Sequence, residues 1–234
     1  MCIAILLPPF KELDKETLLR CNTANPDGFG YAAFIRGSLY MRKYVDEKKI
    51  LKQIDKFISF RQKNLEQPFL VHFRIATHGK ISTRCTHPFK VNQNVVFCHN
   101  GILRQDFGVD IRSLESDTMM FNRNILQRLE KSCLDSMIKG KNKVLFDLLE
   151  GYIGSGNKMI LLHKDGDFKI LNESAGVWDK GVWYSNDSYK ERKVITWSNY
   201  GNYYGSSWRG EYWDNKEGCW KSYESDKWWN GKKK

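Results

Sequence analysis

No apolar run in this chain is long enough to cross a membrane. The run in "MCIAILLPPFKEL" stops at Pro8-Pro9 and has no basic residue ahead of it. It reads neither as a span nor as a secretion signal. A basic block is also missing. The formal net charge is +11, but Lys and Arg are interleaved with acids, and only Lys232-Lys233-Lys234 stand together. That favours a solvated basic surface over a dedicated nucleic-acid groove. There is no C-x-x-C pair. The cysteines at 2, 21, 85, 98, 133 and 219 are scattered, which suits a reducing compartment better than a disulfide framework. Residues 198–234 lack aliphatic side chains. The expectation is a soluble, cytoplasmic protein with no membrane partner.

The sequence does contain enough apolar material for a core. At 234 residues and 41% hydrophobic it can build one sizeable domain with an appendage. Residues 2–7 read as a buried strand. "NPDGFGYAAFI", 25–35, reads as a turn feeding a second strand, and 39–44 as its return. Ile50, Leu51, Ile54, Phe57 and Ile58 recur at helical spacing, which predicts a helix over 47–63. "FLVHFRIA", 69–76, alternates: Phe69, Val71, Phe73 and Ile75 share one face, Leu70, His72, Arg74 and Ala76 the other. Residues 94–99 read as another strand. Ser116 reads as the N-cap of a helix reaching about residue 132, with a second helix over 142–150. "MILLHKDGDFKIL", 159–171, reads as a hairpin closed at Asp165-Gly166, and 182–185 and 194–197 as further strands. Strands, helix, strands, helices, strands is an order that suggests stacked sheets with helices packed outside. Residues 1–197 form the expected domain. Residues 198–234, rich in Trp, Tyr, Gly and Lys, show no period and read as a low-complexity tail.

Several residues could carry chemistry. Methionine is generally removed before a small residue, so Cys2 would become the terminal residue. It would then offer a thiolate nucleophile and an α-amine whose reference pKa of about 7.7–8.0 suits a base. Cys2 also reads as a small buried residue opening a strand. Arg74, inside an apolar strand, needs an anion, either a protein carboxylate or a ligand carboxylate held bidentately. "ATHG", 76–79, is a strand end or a flap over a ligand. "CHNGIL", 98–103, contains Asn-Gly, a turn dipeptide that suits a hairpin corner. The Asn100 amide and Gly101 N–H could instead converge on an oxyanion. Asp117, at a helix start, either complements the helix dipole or grips an ammonium.

Taken together, the sequence resembles the glutaminase domain of class II glutamine amidotransferases, members of the N-terminal nucleophile hydrolases. The likeness rests on "MCIA", "NPDGFGYA" at 25–32, "HFRIATHG" at 72–79, "THPF" at 86–89, "CHNGIL" and "ESDTMMF" at 115–121, in the family's order. "NPDGFG" with "THPF" looks more like the stand-alone branch than the synthase-fused forms. The resemblance implies an α+β fold, a four-layer αββα sandwich. It also implies Cys2 as nucleophile on the side-chain amide of glutamine, with its α-amine as base and then acid. Asn100 and Gly101 would form the oxyanion hole, Arg74 would bind the α-carboxylate, Asp117 the α-ammonium, and Thr77 and His78 would sit in the closing flap. Asp27 and Gly28 would hold a turn near the site. His87 matches a family position near the site, with no assigned role. No cofactor and no metal are implied.

The charge logic agrees: a site for glutamine needs a cation, an anion, a nucleophile and an oxyanion hole, and the sequence has a candidate for each. No second domain that consumes ammonia is visible, so a separate ammonia-accepting enzyme is the expected partner. A hydrolase of a γ-glutamyl-type amide without ammonia transfer is the alternative. Two other classes remain as rivals. His72, His78, Cys85, His87, Cys98 and His99 crowd one region, but their spacing fits no common zinc arrangement. The tryptophans and lysines of 198–234 could stack on single-stranded nucleic acid, against the dilution by Glu211, Asp214, Glu217, Glu224 and Asp226.

Overall fold

The computed structural model describes residues 2–77, 79–103 and 114–191, and the backbone of 211–214 and 219–222. The chain divides into two compact units, Met1–Arg192 and Lys193–Lys234.

Strand β1, Ile3–Leu7, consists of five consecutive apolar residues, all fully buried. A strand apolar on both faces must be covered on both faces. It lies inside a six-stranded sheet ordered β3-β2-β4-β1-β10-β9, where β2 is Gly28–Ile35, β3 Ser38–Tyr44, β4 Phe69–Arg74, β9 Val177–Asp179 and β10 Val182–Tyr184. A second sheet runs β5-β6-β7-β8, from Phe89–Lys90, Val95–Asn100, Lys158–His163 and Phe168–Leu171. Every pairing in both sheets is antiparallel. The fold is thus mixed α and β with two antiparallel sheets.

The alternation in β4 decides what faces what. Phe69, Val71 and Phe73 join a cluster with Ile3, Ile5 and Leu7 of β1. Leu18 of α1 (Lys15–Ala24) and Ile50, Ile54 and Phe57 of α2 (Glu47–Gln62) complete it. Leu70 turns the other way, into a cluster shared by both sheets: Ala4, Leu6 and Trp183 from the first, Val96, Cys98, Ile160 and Leu162 from the second. The opposite side chains of the second sheet, Phe97, Met159 and Leu161, pack with Phe121, Leu134, Met137 and Leu149. Those four belong to α3 (Asp117–Asn124), α4 (Lys131–Ile138) and α5 (Lys143–Ile153).

Four of the helices begin where a side chain can accept from the first turn. Asp14 accepts from Thr17 N at 2.7 Å, Asp46 from Lys49 N at 2.9 Å, Ser116 from Met119 N at 3.3 Å and Asn142 from Leu145 N at 3.1 Å. The helix expected from Ser116 to about 132 does start there but is interrupted. It stops at Asn124, gives one 3-10 turn at Leu126–Arg128, and restarts at Lys131. Breaking at this point lets Phe121, Leu126 and Leu134 all turn inward. Helix α1 was not visible as a period, because its four buried residues, Thr17, Leu18, Cys21 and Asn22, include two polar ones.

Asn100-Gly101 is not a hairpin corner. Asn100 ends β6, whose partners are β5 and β7, and the chain leaves the sheet at Gly101. In the second unit, Glu211–Asp214 (β11) pairs antiparallel with Cys219–Ser222 (β12), so the stretch read as aperiodic contains a strand pair. The strand expected at 194–197 lies outside the described residues. No helix among the described residues is long and apolar enough to cross a membrane.

Candidate active site

The start of β1, the end of β4, the end of β6 and the start of α3 converge on one cavity. Its walls include Cys2, Arg74, Thr77, Gly101 and Asp117, and also His87 and His99. Three larger hollows among the described residues, up to about 470 Å³ beside Phe146 and Trp178, have no cysteine in their walls.

Register brings Cys2 to the site. Ile3 pairs with Phe73, so the residue before β1 falls beside the end of β4. Cys2 Sγ lies 3.4 Å from both the N–H and the carbonyl oxygen of Ile75. Burial raises the thiol pKa above its ordinary value, while the Ile75 N–H and the Arg74 guanidinium act to lower it. A thiol in this setting needs a base to become a strong nucleophile. Asn186 Nδ2 donates to the Cys2 carbonyl at 2.7 Å and fixes the main chain there.

Arg74 is on the β4 face that carries His72, opposite Phe73, and is 3% exposed. Its Nη1 donates to the Lys80 carbonyl at 3.0 Å, so the segment that leaves β4 bends back over the guanidinium. Asp27 secures the start of that segment. Its Oδ2 accepts from Ala76 N at 2.7 Å, and its own N–H donates to the Arg74 carbonyl at 2.9 Å. Thr77 lines the cavity; His78 lies outside the described residues.

Asn100 is tied to β1 by one hydroxyl. Its Nδ2 donates to Ser185 Oγ at 2.8 Å, and Ala4 N donates to the same oxygen at 2.9 Å. Gly101 has φ +145°, and a Cβ there would fall 2.2 Å from Asn157 Oδ1. Only glycine fits this position. Asp117 is the first residue of α3. Its Oδ2 accepts from Leu103 N and its Oδ1 from Thr118 N, both at 2.7 Å. A carboxylate at a helix start also meets the positive end of the helix dipole.

Three histidines cluster at the cavity, His87 and His99 in its wall and His72 beside them. His72 Nε2 is 3.1 Å from the His99 carbonyl oxygen, linking the two sheets. His99 engages Thr118 Oγ1 at 2.9 Å through Nδ1 and Asn157 Oδ1 at 2.8 Å through Nε2. His87 stacks near His72 and Phe89, with centroids 4.2 and 4.6 Å away. Burial depresses all three pKa values, that of His72 to about 3. Among the described residues, the crowded His and Cys side chains do not come together as a metal-ligand set. The grouping that does, His163, Asp165 and Asp167, lies at the β7–β8 turn. Cys2, Cys21, Cys85, Cys98 and Cys133 are free.

Ser185, Asn157 and Asn186 escaped sequence reasoning. Each is a small polar residue just outside a strand or helix, where such residues are common. Only the three-dimensional meeting of distant segments gives them a part.

These segments are the ones on which the resemblance rested. The family model described as "Glutamine amidotransferases class-II" matches residues 16–174, a span that includes Arg74, Asn100, Gly101 and Asp117 and begins after β1. No curated protein matches alongside it. With well over half of the sequence inside that span, the chain belongs to the class II glutamine amidotransferases and is an enzyme of that class.

Proposed function

We propose that Cys2, exposed by removal of Met1, is the nucleophile that attacks the side-chain amide of glutamine. The observation that carries this reading is the single cavity shared by Cys2, Arg74, Gly101 and Asp117, which are far apart in sequence. The need for processing is chemical. While Met1 is attached, the Cys2 nitrogen is an amide and cannot accept a proton. Once Met1 is gone, it is an amine beside a buried thiol whose pKa is raised, and it can take the thiol's proton.

The steps then balance. Sulfur bonds to the amide carbon, and the developing oxyanion is met by the Gly101 N–H and an Asn100 amide hydrogen. The C–N bond breaks, and the α-ammonium returns its proton to the departing ammonia. This leaves a γ-glutamyl thioester, which water hydrolyses to glutamate. Arg74 faces the α-carboxylate and Asp117 the α-ammonium. In the present conformation the cavity is only about 20 Å³, room for about one water. Glutamine therefore enters only when the Lys80 carbonyl lifts from Arg74, and the flap reading for Thr77 and His78 rests on the family resemblance.

The fold supports the same reading. Three apolar clusters, helix-to-sheet, sheet-to-sheet and sheet-to-helix, correspond to a four-layer αββα order. The ammonia goes to a separate acceptor enzyme. Co-purification with an ATP-dependent synthetase is expected, and full ammonia release with no acceptor present would count against it.

The central test is treatment with a glutamine-mimicking diazoketone followed by mass spectrometry. Label on Cys2 in a chain lacking Met1 is the expected result. Label elsewhere, or none under conditions that modify a known glutaminase, would overturn the assignment.

A further inference from the structure

His87 stands apart among the groups around the cavity. It is 5% exposed, and neither ring nitrogen has a hydrogen-bond partner among the described residues. Buried polar atoms are nearly always paired, and leaving them unpaired costs about 1–3 kcal/mol each. Its neighbours differ in this respect. Both nitrogens of His99 are engaged by protein, and His72 bonds through Nε2.

The ring is nonetheless held firmly. It lies against His72 and Phe89, and its own carbonyl presses on β2, where a Cβ at Gly30 would fall 2.0 Å from it. The next glycine along, Gly28, makes room for Thr86 in the same way, since a Cβ there would fall 2.7 Å from Thr86 Oγ1. Two glycines on one face of β2 thus allow the 86–87 segment to sit against the sheet, with His87 in the wall of the Cys2 cavity. Burial, with Lys43, Arg74, His72 and His99 around it, keeps the ring neutral. A neutral imidazole offers one donor and one acceptor. The cavity holds about one water.

We propose that His87 positions the water that hydrolyses the γ-glutamyl thioester, a role that rests on the Cys2 reading above. The acceptor nitrogen takes one O–H of the water and turns its lone pair toward the thioester carbon. The new C–O bond forms as the water's second proton passes to the Cys2 amine. The C–S bond then breaks, and that proton returns to sulfur, giving glutamate and free Cys2. The water is held only after ammonia has left, so loss of His87 bears on hydrolysis and not on acylation.

The test is a partition measurement on full-length wild type, H87F and H87Q with glutamine, with and without hydroxylamine. Hydroxylamine is strong enough as a nucleophile to attack the thioester without being positioned. In H87F, steady-state glutamate formation should fall on the order of 10²-fold, the scale of a misplaced reactant. KM should fall with kcat as thioester accumulates on Cys2, visible by intact mass. The ratio of γ-glutamyl hydroxamate to glutamate should rise by a similar factor, and H87Q, which keeps hydrogen-bonding capacity, should lie between. That ratio is set per active molecule, so partial misfolding of a variant does not move it. An unchanged ratio in H87F and H87Q, or loss of acylation in step with hydrolysis, overturns the proposal. Failure of the diazoketone to label wild-type Cys2 would overturn the Cys2 reading instead, so the two failures are distinct.

Discussion

Two positions, Cys2 and Gly101, test the site at the level of single atoms. Replacing Cys2 with Ser keeps shape but substitutes a hydroxyl that is far harder to ionise in a site that already opposes a thiolate. Turnover should fall by at least ~10³-fold, as it does when hydrolases lose a nucleophile, with little change in melting temperature. Gly101→Ala should behave differently. The new methyl would meet Asn157 Oδ1 at 2.2 Å from a backbone already at φ +145°, and Asn157 Oδ1 is the atom that engages His99. A loss of about 1–3 kcal/mol of stability, measured by denaturant unfolding, should accompany a drop in activity. Loss of activity with unchanged stability would mean that the close approach to Asn157 does not matter.

Between elements, the closest contact is that of the 86–88 segment with β2. Gly30→Ala would drive a methyl into the His87 carbonyl, which is main chain and cannot rotate away. We expect a lower melting temperature, by the several degrees that ~1–3 kcal/mol produces in a domain of this size, and slower hydrolysis because His87 shifts with its backbone. A melting temperature equal to that of wild type would show that the segment has room to move. The element scale is also where the sequence was most and least legible. β1 and β4 could be read directly, one as an unbroken apolar run and one as a clean alternation, because a buried strand leaves its period in the chain. Ser116 announced its helix because capping is local chemistry. The break at Asn124 was hidden because it follows from where Phe121 and Leu134 find space, a tertiary matter. The same division holds in the site. Arg74 and Asp117 stood out as charges in apolar or capping positions, and the Asn100-Gly101 pair stood out as a dipeptide, although its turn is not a hairpin. Ser185 and Asn157 could not stand out, because their partners are 85 and 58 residues away.

At the scale of the whole molecule, the notable feature is that imidazoles bridge the two sheets. His72 of β4 reaches the His99 carbonyl of β6, and His87 packs between their segments. All three are buried, and burial depresses their pKa values in the fold, His72 to about 3, from an unfolded value near 6.5. Below about pH 6.5 the unfolded chain takes up protons that the folded chain refuses. The stability these histidines contribute is therefore complete above that pH and is lost as pH falls toward the folded values. His72, with its folded value at about 3, removes ~1.4 kcal/mol per pH unit within that window. His72 alone, at about 3 in the fold, would take away about 2 kcal/mol between pH 6.5 and 5, and the lowered His87 and His99 add to the same fall. Most carboxylates titrate below this range, so the histidines dominate the slope. Urea unfolding at half-unit steps from pH 7.5 to 5 should show a plateau and then a steep fall. Exchanging His72 for Phe should reduce the proton uptake on unfolding by about one. A flat profile from 7.5 to 5, or an unchanged slope in that variant, would mean that these imidazoles are already protonated in the fold or reach water when it is intact, and that the seam between the sheets is not held as a neutral one.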